Sequence, residues 1–132
     1  MDSAFEYIRD KGIATEADYP YKAVNQPCNN SVARKQKLKT YVDVKGCDEM
    51  LNALSGRPIA TAADASKWAY YKSGILTDCG NNANHGIFLV GASDTDWKLK
   101  NTRGPDWGES GYIRIARGNT CGICGSPSYP VL

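Results

Sequence analysis

The chain has 132 residues, enough for one ordinary domain with a real core. A formal net charge of +2 is too small an excess to point to nucleic acid or an anionic membrane. No apolar run approaches the roughly 18 residues of a membrane span, and no signal-peptide pattern opens the chain.

In chain order, Asp2 to Lys11 reads as a helix: Asp2 or Ser3 can cap it, Phe5 and Ile8 share a face, and Gly12 can end it. Residues 13–24 read as extended, with Pro20 keeping Tyr19 out of a helix. Residues 25–31 form a turn cluster, and the basic run Arg34 to Lys39 reads as a solvated approach to a strand. Thr40 to Val44 alternates, with Thr40, Val42 and Val44 on one face of a half-buried strand. Asp48 to Leu54 reads as a short helix capped by Asp48, with Leu51 and Leu54 toward the core. Pro58 to Ala63 is a strand of small residues, and Trp68 to Tyr71 is an aromatic cluster before Gly74-Ile75. Further strands fall at His85–Val90, Trp97–Asn101 and Tyr112–Ala116, between Gly, Asp and Pro turns. One soft boundary lies near Asp43, and no repeat or low-complexity linker interrupts the chain.

The stretch around which the rest is organised is Asn84-His85-Gly86-Ile87-Phe88-Leu89-Val90-Gly91. His85 is the only histidine, and it opens an apolar run rich in β-formers that reads as a buried strand. A lone histidine at a strand edge also suits a purely structural role. However, the next strand ends at Asn101, and a hairpin of the two can set Asn101 beside the imidazole. Its side-chain oxygen then accepts the proton of one ring nitrogen, which fixes the tautomer and leaves the other nitrogen as a base.

Asn101-Thr102-Arg103-Gly104-Pro105-Asp106-Trp107-Gly108-Glu109-Ser110-Gly111-Tyr112 resembles the asparagine motif of the papain-like cysteine proteases. The family form runs Asn-Ser-Trp-Gly, two variable residues, Trp-Gly, two more, then Gly-Tyr. Asn84-His85-Gly86 resembles the family's histidine motif, and Tyr19-Pro20-Tyr21 and the ending Cys121-Gly122-Ile123 to Ser128-Tyr129-Pro130 match further landmarks. The motifs keep the family's order from Met1 to Leu132; each alone is weak, and together they are highly specific. The resemblance implies an α+β, papain-like fold present here as an incomplete domain. Residues 1–43 would be the remainder of the helical lobe. Residues 44–132 would be the antiparallel, barrel-like lobe carrying the histidine and asparagine.

By that resemblance His85 is the general base and Asn101 its orienting partner in a Cys-His-Asn arrangement. The reaction is acyl transfer by a thiolate held as an ion pair with the imidazolium. The family signature around the nucleophile lies roughly 130–150 residues before the histidine, so it falls about 45–65 residues before Met1 by the same spacing. No cysteine of this chain is followed by Trp or Tyr. The expectation is the C-terminal part of a papain-like cysteine endopeptidase, inactive alone because its nucleophile lies in other sequence. The alternative is a catalytically inactive papain-like protein acting as a binding or structural module. The implied partners are a peptide or protein substrate, an N-terminal segment or chain carrying the nucleophile, and an inhibitor protein or prosegment. No cofactor, metal, nucleic acid or membrane is implied.

The resemblance also assigns the surroundings. Ala62, Ala83 and Ser126 would line the pocket for the substrate side chain two residues before the scissile bond, with the small alanines leaving room for a large apolar group, although small residues equally suit a tightly packed strand. Asn84 would bond backbone near the thiolate. Arg103 stands where the family has a tryptophan that covers the His–Asn bond from water, and a cation there disfavours imidazolium. A weakened or inactive protease is therefore expected. Cys79 and Cys121 match a family disulfide, and Cys28 matches one whose partner lies upstream. Cys47 and Cys124 fit no common family bridge; a bond between the two is one open pairing, and the sequence leaves the pairing of Cys28, Cys47 and Cys124 undecided. The spacing Cys121-Gly122-Ile123-Cys124 is that of a redox motif, but it lies in a Gly-rich tail, and a zinc site lacks a second ligand pair. Asn29-Asn30-Ser31 is a glycosylation sequon. With the disulfides it favours an oxidising compartment: secreted, lysosomal or vacuolar.

Overall fold

The computed structural model describes residues 1–132, which divide into two compact units. One comprises Asp2–Val42 with Pro130–Leu132, the other Asp43–Tyr129 with Met1. No helix is long and apolar enough to cross a membrane.

The first unit begins with helix α1 (Asp2–Lys11), whose acidic first turn and basic last turn suit the helix dipole. Gly12 stops it in the left-handed region, φ 78°, where its N–H still reaches the Ile8 carbonyl at 2.9 Å. No residue of α1 is buried. Phe5, half-buried, stacks on Tyr41 at 5.8 Å between ring centres, and the Tyr41 hydroxyl donates to Glu6 at 3.2 Å. Residues 13–39 are held mostly by turns and by the bridge between Ile13 and Gln36. Strand β1 (Thr40–Asp43) corrects the expected face in part: Thr40 and Val42 are exposed and Tyr41 is half-buried, whereas Val44, just past the strand, is buried as expected. The reason is that the aromatic ring, not the smaller Thr and Val, finds the partner on α1.

The second unit opens with α2 (Gly46–Leu54), which starts two residues before the predicted helix. Its entry is closed not by Asp48 but by Glu49, whose carboxylate reaches back to the Lys45 N–H at 2.9 Å. The buried stripe runs through Cys47, Met50 and Leu54, three and four residues apart. Met50 is fully buried, whereas Leu51, expected in the core, is 37% exposed.

The sheet of this unit is built from β2 (Ile59–Ala63), β3 (Ile75–Leu76), β4 (His85–Ala92), β5 (Asp96–Lys100), β6 (Tyr112–Ala116) and the start of β7 (Ser128–Val131). Their lateral order is β7-β2-β4-β5-β6-β3. All these pairings are antiparallel except that of the two-residue β3 with β6. β7 was not legible as a strand, because Pro130 removes a ladder donor and so confines it to a short, irregular pairing. Ile59 and Ala63 from β2, Leu89 from β4, Trp97 and Leu99 from β5, and Ile113 and Ile115 from β6 are all fully buried. Each complete burial of a large apolar side chain is worth about 1.5–3 kcal/mol, and this is what fixes strand register. Disulfides join Cys47 to Cys124 and Cys79 to Cys121, tying α2 and the loop before β4 to the C-terminal stretch of the unit.

Candidate active site

The β2–β4 ladder runs from Ile59↔Leu89 to Ala63↔His85, so His85 is the last paired residue of its strand. Alternation puts His85 on the face of buried Ile87 and Leu89. On the other side, β4 and β5 pair at Phe88↔Lys100, and one step further Asn101 falls opposite Ile87. Asn101 therefore shares the face of His85. Its backbone N–H continues the β5–β6 ladder onto the Gly111 carbonyl at 3.0 Å.

The two side chains meet: His85 Nε2 lies 3.0 Å from Asn101 Oδ1. An amide oxygen only accepts, so Nε2 carries the proton and Nδ1 is the basic nitrogen of the neutral ring. The same Oδ1 accepts the Thr102 N–H at 2.8 Å, and Asn101 is only 8% exposed. That second bond holds the amide in one orientation. Trp68, fully buried, sets its ring edge-on to the imidazole at 5.9 Å and 84°. Ala65, Ser66, Asn84 and Arg103 complete, with these three residues, a cavity of about 290 Å³.

A buried carboxylate organises the rim of that cavity. Asp64, at the end of β2, accepts the Ser66 hydroxyl at 2.5 Å, the Ser66 N–H at 3.0 Å and the Asn82 N–H at 3.1 Å. These donors hold its carboxyl below the usual carboxylate range. A Cβ at Gly80 would overlap its second oxygen, so only glycine lets the 80–84 loop pass. Asn84 then locks the two loops together: its Oδ1 accepts the Ala65 N–H at 2.9 Å and its Nδ2 donates to Ser66 Oγ at 3.0 Å. The residue before His85 is thus anchored by its side chain.

The turn after Asn101 is held from behind. Gly108 adopts φ 58°, and a Cβ there would meet the Tyr112 carbonyl at 2.6 Å. Glu109 forms a two-point ion pair with Arg114, both contacts at 2.8 Å, and also accepts the Gly74 N–H at 2.9 Å. The guanidinium, and after it the Gly74 amide, pull its carboxyl down to about 2 against the opposing effect of burial. Tyr71 packs on Trp107, donates to the Gly74 carbonyl at 2.7 Å and accepts the Arg114 N–H at 3.2 Å. Burial pushes its phenol up.

The other candidate residues scatter. Ala62 pairs with Gly86 and is half-buried; Ala83 and Ser126 are exposed, the latter just before β7. None of the three lines the His85 cavity, whereas Asn84 does. Arg103 is exposed at its mouth and forms no ion pair. The four cysteines of this unit are all in disulfides, and Cys28, in the other unit, is an exposed free thiol. Asn29 is exposed, its Oδ1 accepting the Ser31 N–H at 3.0 Å in an Asx turn. Asp64, Ser66 and Trp68 went unread as site residues. The signal was Asp64-Ala65-Ser66, a turn former placed where a buried strand of small residues ends.

The model of the family described as papain family cysteine protease matches residues 1–131, and the chain belongs to that family. Among curated relatives it is 47% identical to "Cathepsin L 2" of Paramecium tetraurelia, over 100% of this chain and 43% of that protein. It is 39% identical to "Vignain" of Phaseolus vulgaris, over 99% and 41%. The chain thus spans less than half the length of these relatives. Among solved structures, bromelain from Ananas comosus in complex with the E64 inhibitor superposes with a TM-score of 0.88 at 38% identity, covering 99% of this chain and 68% of that one. Procathepsin L 3 of the Tenebrio molitor larval midgut gives 0.90 at 38% identity, covering 100% and 48%.

Proposed function

We propose that this chain supplies the His–Asn half of a papain-type cysteine endopeptidase site, with the thiol nucleophile on sequence outside it. The observation that carries this is the 3.0 Å bond from His85 Nε2 to Asn101 Oδ1, which leaves Nδ1 without a hydrogen bond inside the chain at a cavity. In this reading the thiolate attacks the scissile carbonyl carbon, and the imidazolium gives its Nδ1 proton to the departing amine. The imidazole then takes a proton from water, whose oxygen displaces the thiolate from the thioester. Asn101 keeps the ring in one orientation through both transfers. With every cysteine of the unit of His85 in a disulfide, the 132-residue chain alone turns over no peptide by this route.

Residues 1–43 belong in this reading to the helical lobe and 44–132 to the barrel-like lobe. Ala62, Ala83 and Ser126 receive a large apolar side chain, and a prosegment or inhibitor protein is the natural partner. The two disulfides and the exposed sequon at Asn29 support a secreted, lysosomal or vacuolar setting. The test uses the complete polypeptide. It should cleave fluorogenic peptides and be labelled by a thiol-directed epoxide of the E-64 type. His85→Ala should lower kcat on the order of 10⁶-fold, by the serine-protease precedent. Labelling without turnover, or turnover that survives His85→Ala, would refute the reading.

One observation favours the second reading, an enzyme weakened or silent. Arg103 brings a cation to the cavity of the His–Asn pair, and a cation beside the ring opposes the imidazolium that activates the thiol. Arg103→Trp in the complete protein should then raise turnover of uncharged peptides; equal rates would sink this reading.

A further inference from the structure

We infer that Arg103 makes this site selective for substrates carrying a carboxylate on the residue that contributes the scissile nitrogen. The inference rests on the protease reading above and adds the chemical class of substrate. Three observations lead to it. Arg103 is the one permanently charged side chain lining the cavity; Ser66, Trp68, Asn84 and Asn101 are neutral. Its guanidinium is exposed and engaged by no carboxylate. The two acidic groups that organise this region are already committed, Asp64 to Ser66 and Asn82, and Glu109 to Arg114 and Gly74. A cation at a mostly neutral cavity, with its planar fork unfilled, fits a carboxylate by two parallel hydrogen bonds.

The side of the scissile bond follows from the chemistry. The imidazolium delivers its proton to the leaving amine, so the cavity shared by His85 and Arg103 belongs to the residue on the amine side. A carboxylate there does two things at once. It pairs with Arg103, which tightens binding, and it neutralises the charge that opposes imidazolium, which raises the chemical rate. A neutral substrate leaves that charge standing. The preference therefore belongs in kcat as well as KM, which a simple surface ion pair would not produce.

The experiment compares matched fluorogenic peptides with Asp or Glu, Asn or Gln, and Lys directly after the scissile bond, using the complete protein. The acidic peptides should exceed their amides in kcat/KM by about tenfold, with lysine lowest. Arg103→Gln should bring the acid-to-amide ratio close to one, Arg103→Lys should keep part of it, and added salt should shrink it. If no peptide is cleaved, the protease reading fails on its own account. Binding of the same peptides by fluorescence anisotropy then decides this inference, again as acid against amide in wild type and Arg103→Gln. Equal handling of acid and amide by the wild type, or a preference that persists in Arg103→Gln, would overturn it.

Discussion

The stretches Asp43–Tyr129 and Asp2–Val42 are held by different means. In the first, α2 and the strands β2, β4, β5 and β6 close over side chains with no exposed surface, and two disulfides pin α2 and the loop before β4 to the C-terminal stretch. In the second, the only helix has no fully buried residue, residues 13–39 carry one isolated bridge and no strand, and Tyr21 and Val24 are 83% and 66% exposed. His85 and Asn101 both sit in the first, at the ends of strands whose register the core fixes. A 3.0 Å contact between residues from two strands needs backbones that do not slide. The comparison teaches that the geometry of the site is borrowed from the ladder and the core, while the loop-rich stretch is free of that demand.

The difference can be attacked first through the cysteines. Replacing Cys47 and Cys124 by serine opens a closure of 77 residues, which in a chain-entropy account removes about 4.5 kcal/mol of stability. Cys28→Ser, at an exposed thiol in the other stretch, should leave the unfolding free energy, read from denaturant curves, within about 0.5 kcal/mol. A comparable loss from both would erase the contrast. The next test uses one substitution in both places. Ile113→Ala empties a fully buried site in β6 and should cost about 3 kcal/mol. Ile8→Ala removes the same atoms from a half-buried position on α1 and should cost about 1 kcal/mol or less, read from urea midpoints.

Much of the site was legible because its parts are local. His85 opens an apolar run and Asn101 closes the next strand, and two strands joined by a short turn pair, so their nearness could be read. The shared face could not, because a regular count from Ala92↔Trp97 sets Asn101 opposite Phe88, and only the register shift between Leu89 and Gly91 brings it opposite Ile87. Helix α2 was less legible, since its first turn is capped by Glu49 from inside rather than by a polar residue ahead of it, and the buried stripe moved from Leu51 to Met50. Thr40 and Val42 misled because alternation gives two faces without saying which one has a partner; Tyr41 found α1. Trp68 and Asp64 could not be placed from the chain at all. Their roles depend on contacts with His85, Asn82 and Asn84, which lie some twenty residues away and come close only when β2 meets β4.

The smallest effect concerns the ion pair behind the asparagine turn. Glu109 and Arg114 are 24% and 36% exposed, so solvent screens them and the pair is worth about 1 kcal/mol. Glu109→Gln isolates that charge, because the amide oxygen can still accept the Gly74 N–H that the carboxylate holds at 2.9 Å. The native carboxyl titrates at about 2, below its ordinary 4.5, so its contribution is complete above the ordinary value and fades as pH falls toward the native one. Wild type should accordingly exceed Glu109→Gln in urea midpoint at pH 7, and the two should converge as the pH is taken from about 4.5 to about 2. A gap that does not close with acid would mean that the guanidinium holds the turn by shape rather than by charge. A full-length enzyme that keeps its midpoint but loses turnover in Glu109→Gln would move the pair from support of the sheet to alignment of Asn101, since the Asn101 N–H is held by the Gly111 carbonyl two residues from Glu109.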